Sequence, residues 1–114
     1  MSRNKTLAPP PHIVWASLID PHADPTRRWL ILLHDEVEPR VLESTKAERV
    51  TWSSLWPDRP DDTIQLEVEP HRCGTRLRWT AYTPDVLPDD ECRREIRYRL
   101  DKLLFGNLRD AYDQ

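Results

Sequence analysis

Two hydrophobic rhythms divide this chain. From residue 63 to 83 apolar and polar residues alternate. Ile64, Leu66 and Val68 are separated by Gln65, Glu67 and Glu69, and Leu77, Trp79 and Ala81 are interleaved with Arg76, Arg78, Thr80 and Tyr82. A period of two marks half-buried strands, and the short His71-Arg72-Cys73-Gly74 turn between them predicts an antiparallel hairpin with Glu67 and Glu69 facing Arg76 and Arg78. Beyond residue 88 the period changes. Cys92, Ile96, Leu100, Leu103, Leu104, Leu108 and Ala111 recur at three-four spacing, which predicts one amphipathic helix over Asp89–Tyr112. Asp89, Asp90 and Glu91 suit its positive end. Gly106 interrupts the pattern at a cost of about 1 kcal/mol against alanine. Tyr98, Phe105 and Tyr112 widen the apolar arc beyond what one sheet contact requires.

The first half is less regular. Residues 1–10, which run into Pro9-Pro10-Pro11, carry no helix or strand signal. His12–Ile19 is rich in β-formers and apolar on both faces, which predicts a strand covered on two sides. Asp24-Pro25 offers a cap and a proline start for a helix over Thr26–Glu36, although the consecutive Trp29–Leu33 also suits a strand. Arg40–Ser44 and Arg49–Trp56 read as strands joined by Thr45-Lys46-Ala47-Glu48, with Val50, Trp52, Ser54 and Trp56 on one face. Pro57–Asp62 is a turn. The predicted architecture is α+β: an antiparallel sheet of about five strands, one short helix after the first strand, and a long C-terminal helix across the concave face. Residues 1–10 read as a lead-in and 11–114 as a single domain.

Composition narrows the function. Seventeen basic against twenty acidic residues, interspersed, give a net charge of −3 and argue against nucleic acid as partner. Arg76, Arg78 and Tyr82 with a nearby tryptophan could make a basic-aromatic surface, but Glu67 and Glu69 neutralise it. The longest apolar run, Trp29–Leu33, is too short to span a membrane. Cys73 and Cys92 are the two cysteines, and no leader-like run follows Met1. The expectation is a cytoplasmic protein with reduced thiols. With two glycines in all, a nucleotide-cradling loop is out of reach.

The segments His12-Ile13-Val14-Trp15-Ala16-Ser17-Leu18-Ile19-Asp20-Pro21 and Gly74-Thr75-Arg76-Leu77-Arg78-Trp79-Thr80, with the Glu-Val-Glu-Pro hairpin approach and the closing helix, resemble the SRPBCC superfamily. These are the helix-grip proteins that include START-like lipid carriers, polyketide cyclases and birch-pollen-allergen-like proteins. The likeness runs from about Pro11 to the end. It implies a cavity between the concave sheet and the long helix, with less enclosed volume here because the interval before the helix is short.

On that basis the candidate ligand-binding residues are Trp52, Trp56, Trp79, Arg93, Ile96, Arg97, Leu100 and Leu104. The tryptophans would wall the cavity, or simply fill the core. Arg93 and Arg97 would meet a ligand's polar end, or extend past the sheet edge to pair with loop acids. No catalytic, metal or cofactor motif is present. His34-Asp35-Glu36 are adjacent and diverge on a helix, and lone Cys92 at a helix start is not a nucleophile by itself. Asp35, Glu36 and Glu43 are the acids placed to act as a base. The expected function is therefore binding of a small hydrophobic ligand without catalysis. Two alternatives stand beside it: a polyketide cyclase or dehydrase-type enzyme, and a homodimeric or partner-binding protein with a filled core.

Overall fold

The computed structural model describes residues 1–84 and 86–112. Asp85 in the connection before the closing helix, and residues 113–114 of the expected domain, lie outside the described residues.

Five antiparallel strands form an open sheet in the order β1-β5-β4-β3-β2, where β1 is Ser2–Leu7, β2 Val41–Thr45, β3 Arg49–Ser53, β4 Thr63–His71 and β5 Gly74–Tyr82. The hairpin β4–β5 has the expected register: Glu67 lies opposite Arg78 and Glu69 opposite Arg76. Its alternation holds throughout, with Ile64, Leu66, Val68, Leu77 and Trp79 all buried on the concave face.

The first third differs from expectation. Pro11–Ile19 is the helix α1, not a strand. The triple proline is a helix start, because Pro11 supplies a preset φ where no amide donor is needed. Only Val14 and Leu18, one turn apart, are buried in α1, as a helix docked on one face requires. Thr26–Glu36 is not a helix. Asp24 Oδ1 accepts from the Thr26 amide at 2.9 Å, and Asp24 O from the Arg27 amide at 3.2 Å, so the capping signal makes one turn and stops. Beyond it, Trp29 and Leu30 are buried while Ile31 and Leu33 are exposed, and no helical face exists to continue. The first ten residues contain β1, paired with β5 from Ser2 opposite Thr80 to Leu7 opposite Thr75. An edge strand can be recruited by backbone pairing alone, and only Leu7 of β1 is buried. Gly74 makes this possible: a Cβ there would lie 2.2 Å from the Leu7 carbonyl oxygen.

The closing helix runs as α2 (Asp90–Leu100), a π-helical segment (Asp101–Asn107) and a last turn α3 (Leu108–Ala111). Asp89 caps it, accepting the Cys92 amide at 2.8 Å. The wider π turns keep Leu100, Leu103, Leu104 and Leu108 all on the sheet side, and each is fully buried. They meet Trp52 and Trp79, also fully buried. Each indole hydrogen bonds as it packs: Trp52 Nε1 donates to Leu18 O at 3.0 Å and Trp79 Nε1 to Asp101 Oδ1 at 2.9 Å. Trp29 stacks on Trp52 with ring centres 6.1 Å apart. Asp101 also pairs with Arg3 at 3.0 Å, tying β1 to the helix.

Candidate functional site: a cleft beside the closing helix

Because leucines and tryptophans fill the interior, open space lies at its edge. A half-open cleft of about 640 Å³ separates the first turns of α2 from the irregular segments around Leu33–Glu36 and Trp56–Arg59. Its apolar surface comes from Leu33, Trp56, Cys92, Ile96 and Tyr98. β3 ends at Ser53, so Trp56 is not on the strand as expected. Ser54 Oγ accepts the Trp56 amide at 3.0 Å and donates to Trp56 O at 3.1 Å, closing a small turn that presents the ring to the cleft.

Two arginines are fixed in the walls. Arg99 grips Glu36 through both oxygens, Nε to Oε2 at 2.9 Å and Nη2 to Oε1 at 2.7 Å, and also donates to Ile31 O at 3.0 Å. The Leu33 amide completes the shell of Glu36 at 2.9 Å. The pair is nearly shut off from water, which strengthens it and makes breaking it costly. On the other wall, Arg59 Nε pairs with Asp62 at 2.6 Å while its Nη2 reaches Thr83 Oγ1 at 2.9 Å and Val86 O at 3.2 Å. The Nη1 groups of Arg59 and Arg99 carry no hydrogen bond among the described residues. Two oriented guanidinium groups therefore retain donor capacity in a cleft with apolar surface.

Electrostatics define what these groups can do. Burial pushes the Glu36 carboxyl upward, but the Arg99 hydrogen bonds, the Leu33 amide, the Arg99 charge and Trp56 together hold it below the usual carboxylate range. Glu36 lines the cleft as the sequence anticipated for a base, yet it is a fixed anion with both oxygens taken. The hydrogen bonds to Glu36 and to Asp62 raise Arg99 and Arg59 respectively. Burial raises the Cys92 thiol, outweighing Arg59, so it stays protonated near neutral pH. Asp35 lines the cleft, whereas Glu43 sits on the exposed strand β2. Among the described residues no cluster of three or more His, Cys, Asp or Glu is arranged to hold a metal ion.

The anticipated site residues separate into three groups. Trp56 and Ile96 line the cleft. Trp52, Trp79, Leu100 and Leu104 are core. Arg93 and Arg97 lie on the opposite flank of α2 beside Met1 and Asp90, where Arg93 pairs with Asp90. Arg59, Arg99 and Leu33 were not anticipated. The available signal was the acidic pair Asp35-Glu36 directly after the hydrophobic run Trp29–Leu33, since an acid drawn into cover with such a run needs a cationic partner. A second cleft of about 510 Å³ lies at the far end, between α1 and α3, where the Tyr112 hydroxyl donates to Ser17 Oγ at 2.6 Å.

No protein-family model matches the sequence, and no curated protein sequence matches it. Solved structures do match in fold. CalU16 from Micromonospora echinospora superposes with a TM-score of 0.69 at 19% identity, over 92% of this chain and 71% of its own. The Aha1 dimer from Colwellia psychrerythraea gives 0.61 at 14% identity, over 93% and 96%. Ara h 8.0201 gives 0.69 at 10% identity, over 100% and 97%. At such identities the likeness shows the fold, the helix-grip fold of SRPBCC/START-like proteins.

Proposed function

We propose that this chain is a small-ligand-binding domain of the SRPBCC type, and that its ligand lies in the cleft beside α2 and not beneath the helix. The observation that carries this reading is the pair of guanidinium groups, Arg59 and Arg99, held in the walls by their own carboxylates with Nη1 donors to spare. Trp56, Ile96 and Leu33 receive the apolar body of the ligand by burial. The spare donors call for an acceptor. Asp35, Asp58, Glu91 and Glu95 also line the cleft and disfavour a carboxylate there. The ligand class that satisfies both is a neutral, largely apolar molecule carrying a carbonyl or hydroxyl oxygen. Glu36, the acid most enclosed by the cleft walls, has both oxygens taken by Arg99 and is not free to act as a general base, which favours binding without turnover.

The test uses prodan, a neutral naphthalene ketone whose emission shifts to the blue in apolar surroundings. One equivalent should bind per folded chain. Trp56→Ala should weaken binding by about tenfold or more, since it removes one large apolar contact, while Leu100→Ala should lower stability and leave binding by the folded fraction unchanged. Absence of a blue shift with the folded wild-type chain would sink the proposal. An equal loss of binding in both variants would place the ligand in the core instead.

A further inference from the structure

The outer face of the closing helix carries features that no contact within the chain explains. Glu91, Glu95, Tyr98, Lys102 and Gly106 follow one another at spacings of four, three, four and four along that face. Tyr98 is 66% exposed, and beside it Leu33 and Ile31 are 50% and 52% exposed, brought there by the Arg99 bonds to Glu36 and Ile31. Glu95 and Lys102 are exposed, and neither side chain forms a hydrogen bond or ion pair among the described residues. Gly106 is equally unaccounted for. An added Cβ would meet only the Lys102 side chain at 3.7 Å and the Asp101 carbonyl at 3.9 Å, which is ordinary contact, so packing within the chain does not require a glycine there. A helix glycine that costs stability without a local reason leaves a flat place where something outside the chain comes close.

We infer that this face binds a second copy of the same chain, with two closing helices crossing antiparallel about a twofold axis near Tyr98. Self-complementarity is the requirement for such a contact, and the face has it. The acids Glu91 and Glu95 precede Tyr98 and Lys102 follows it, so reversal of one helix sets Glu95 of each copy against Lys102 of the other. The two tyrosine rings meet near the axis in an offset pair. Gly106 of each copy then lies opposite the first helical turn of the other, where a side chain would hold the helices apart. Because rotation about this axis keeps the Leu33 side of each copy on the same side, the exposed Ile31 and Leu33 of both copies extend the apolar contact. The strand edge β2 is a poorer seat for a second copy. Its pairing with β3 is irregular between Val41 and Glu43, and a bulge of that kind blunts an edge. The helix-face contact is narrow, at or below the smaller interfaces that persist in solution, and is expected to form at about 100 µM rather than nanomolar concentrations. It also lays the second copy across the mouth of the cleft, whose rim includes Leu33, Glu95 and Tyr98.

Sedimentation equilibrium from about 10 µM to 1 mM tests this without any ligand. The wild-type chain should shift from monomer to dimer over that range. Tyr98→Glu should remove the dimer with an unchanged circular dichroism spectrum, because the side chain is exposed. Gly106→Ala should raise the melting temperature and weaken association, a combination that a purely internal role for the glycine would not produce. Glu95→Lys and Lys102→Glu should each weaken the dimer about tenfold, and the double variant should restore it. A strict monomer at 1 mM, or a dimer indifferent to Tyr98→Glu, overturns the inference. A dimer lost in both single charge variants but not regained in the double variant overturns the antiparallel pairing. Prodan binding is measured separately on monomer at low concentration, so failure of the dimer and failure of the ligand site are told apart.

Discussion

The sheet-facing side of the closing helix and its cleft-facing flank use the same helix for opposite ends. On the sheet side Leu100, Leu103, Leu104 and Leu108 are fully buried with Trp52 and Trp79, and among the described residues every buried side-chain nitrogen or oxygen has a partner. On the flank, Cys92, Ile96 and Arg99 border a half-open space whose arginines keep unused donors. The difference teaches where this helix-grip domain keeps its room. Two large indoles and a π-helical segment that turns extra leucines inward occupy the volume beneath the helix. Space for another molecule is left at the end of the sheet, where strands give way to irregular segments that need ion pairs to hold them.

The sharpest way to break this comparison is at Trp79. Trp79→Ala should cost about 3–5 kcal/mol in urea unfolding if the sheet side is a dry core. A loss below about 1 kcal/mol would mean that this side is as open as the flank. Next is the ion pair that builds the cleft wall. Arg99→Met leaves Glu36 charged and buried, and should cost about 3 kcal/mol. The same pair sets a pH dependence. Glu36 has a depressed folded-state pKa, so its contribution is full above the unfolded value near 4.5 and is lost as pH falls through the lower folded value. Unfolding midpoints between pH 3 and pH 7 should show this acid limb, reduced in Glu36→Gln.

The glycines give the smallest and most diagnostic pair. Gly74→Ala forces a Cβ against the Leu7 carbonyl oxygen and should cost about 2–3 kcal/mol, with β1 released first in amide exchange. Gly106→Ala makes only ordinary van der Waals contacts and should stabilise the monomer by up to about 1 kcal/mol in thermal unfolding. Equal effects of the two changes would erase the distinction between a glycine needed by the fold and one that the fold does not need.

How much of this was legible in the sequence follows from how local each determinant is. The β4–β5 hairpin and the closing helix were readable because each carries its own periodicity over nine residues or more in unbroken chain. β1 was not, because an edge strand is chosen by the backbone of β5 and needs almost no apolar residues of its own. α1 was misread because Ile13, Val14 and Trp15 favour strands in isolation, and the preference was overridden by Pro11 and by docking against β3, β4 and β5. In the cleft, Trp56 and Ile96 are among the anticipated residues, although Trp56 reaches it from a turn after β3 and not from the strand face, and the anticipated arginines are Arg93 and Arg97 instead of Arg99. All three lie close to the apolar stripe. Which flank of the helix faces a cleft depends on segment 31–36, and its position is set by the Glu36–Arg99 pair itself.

By itself the sequence determined the alternating hairpin, the capped closing helix and the presence of more apolar helix surface than one sheet contact uses. Those are properties of neighbours along the chain, where side-chain direction follows from backbone period. Only the tertiary structure decided that Phe105 of that surplus joins the core while Tyr98 stays exposed, that β1 completes the sheet, and that Glu36 and Arg99, 63 residues apart, meet at the cleft. Such meetings depend on volume and on charges left unpaired after packing, quantities that exist only once distant segments share the same space.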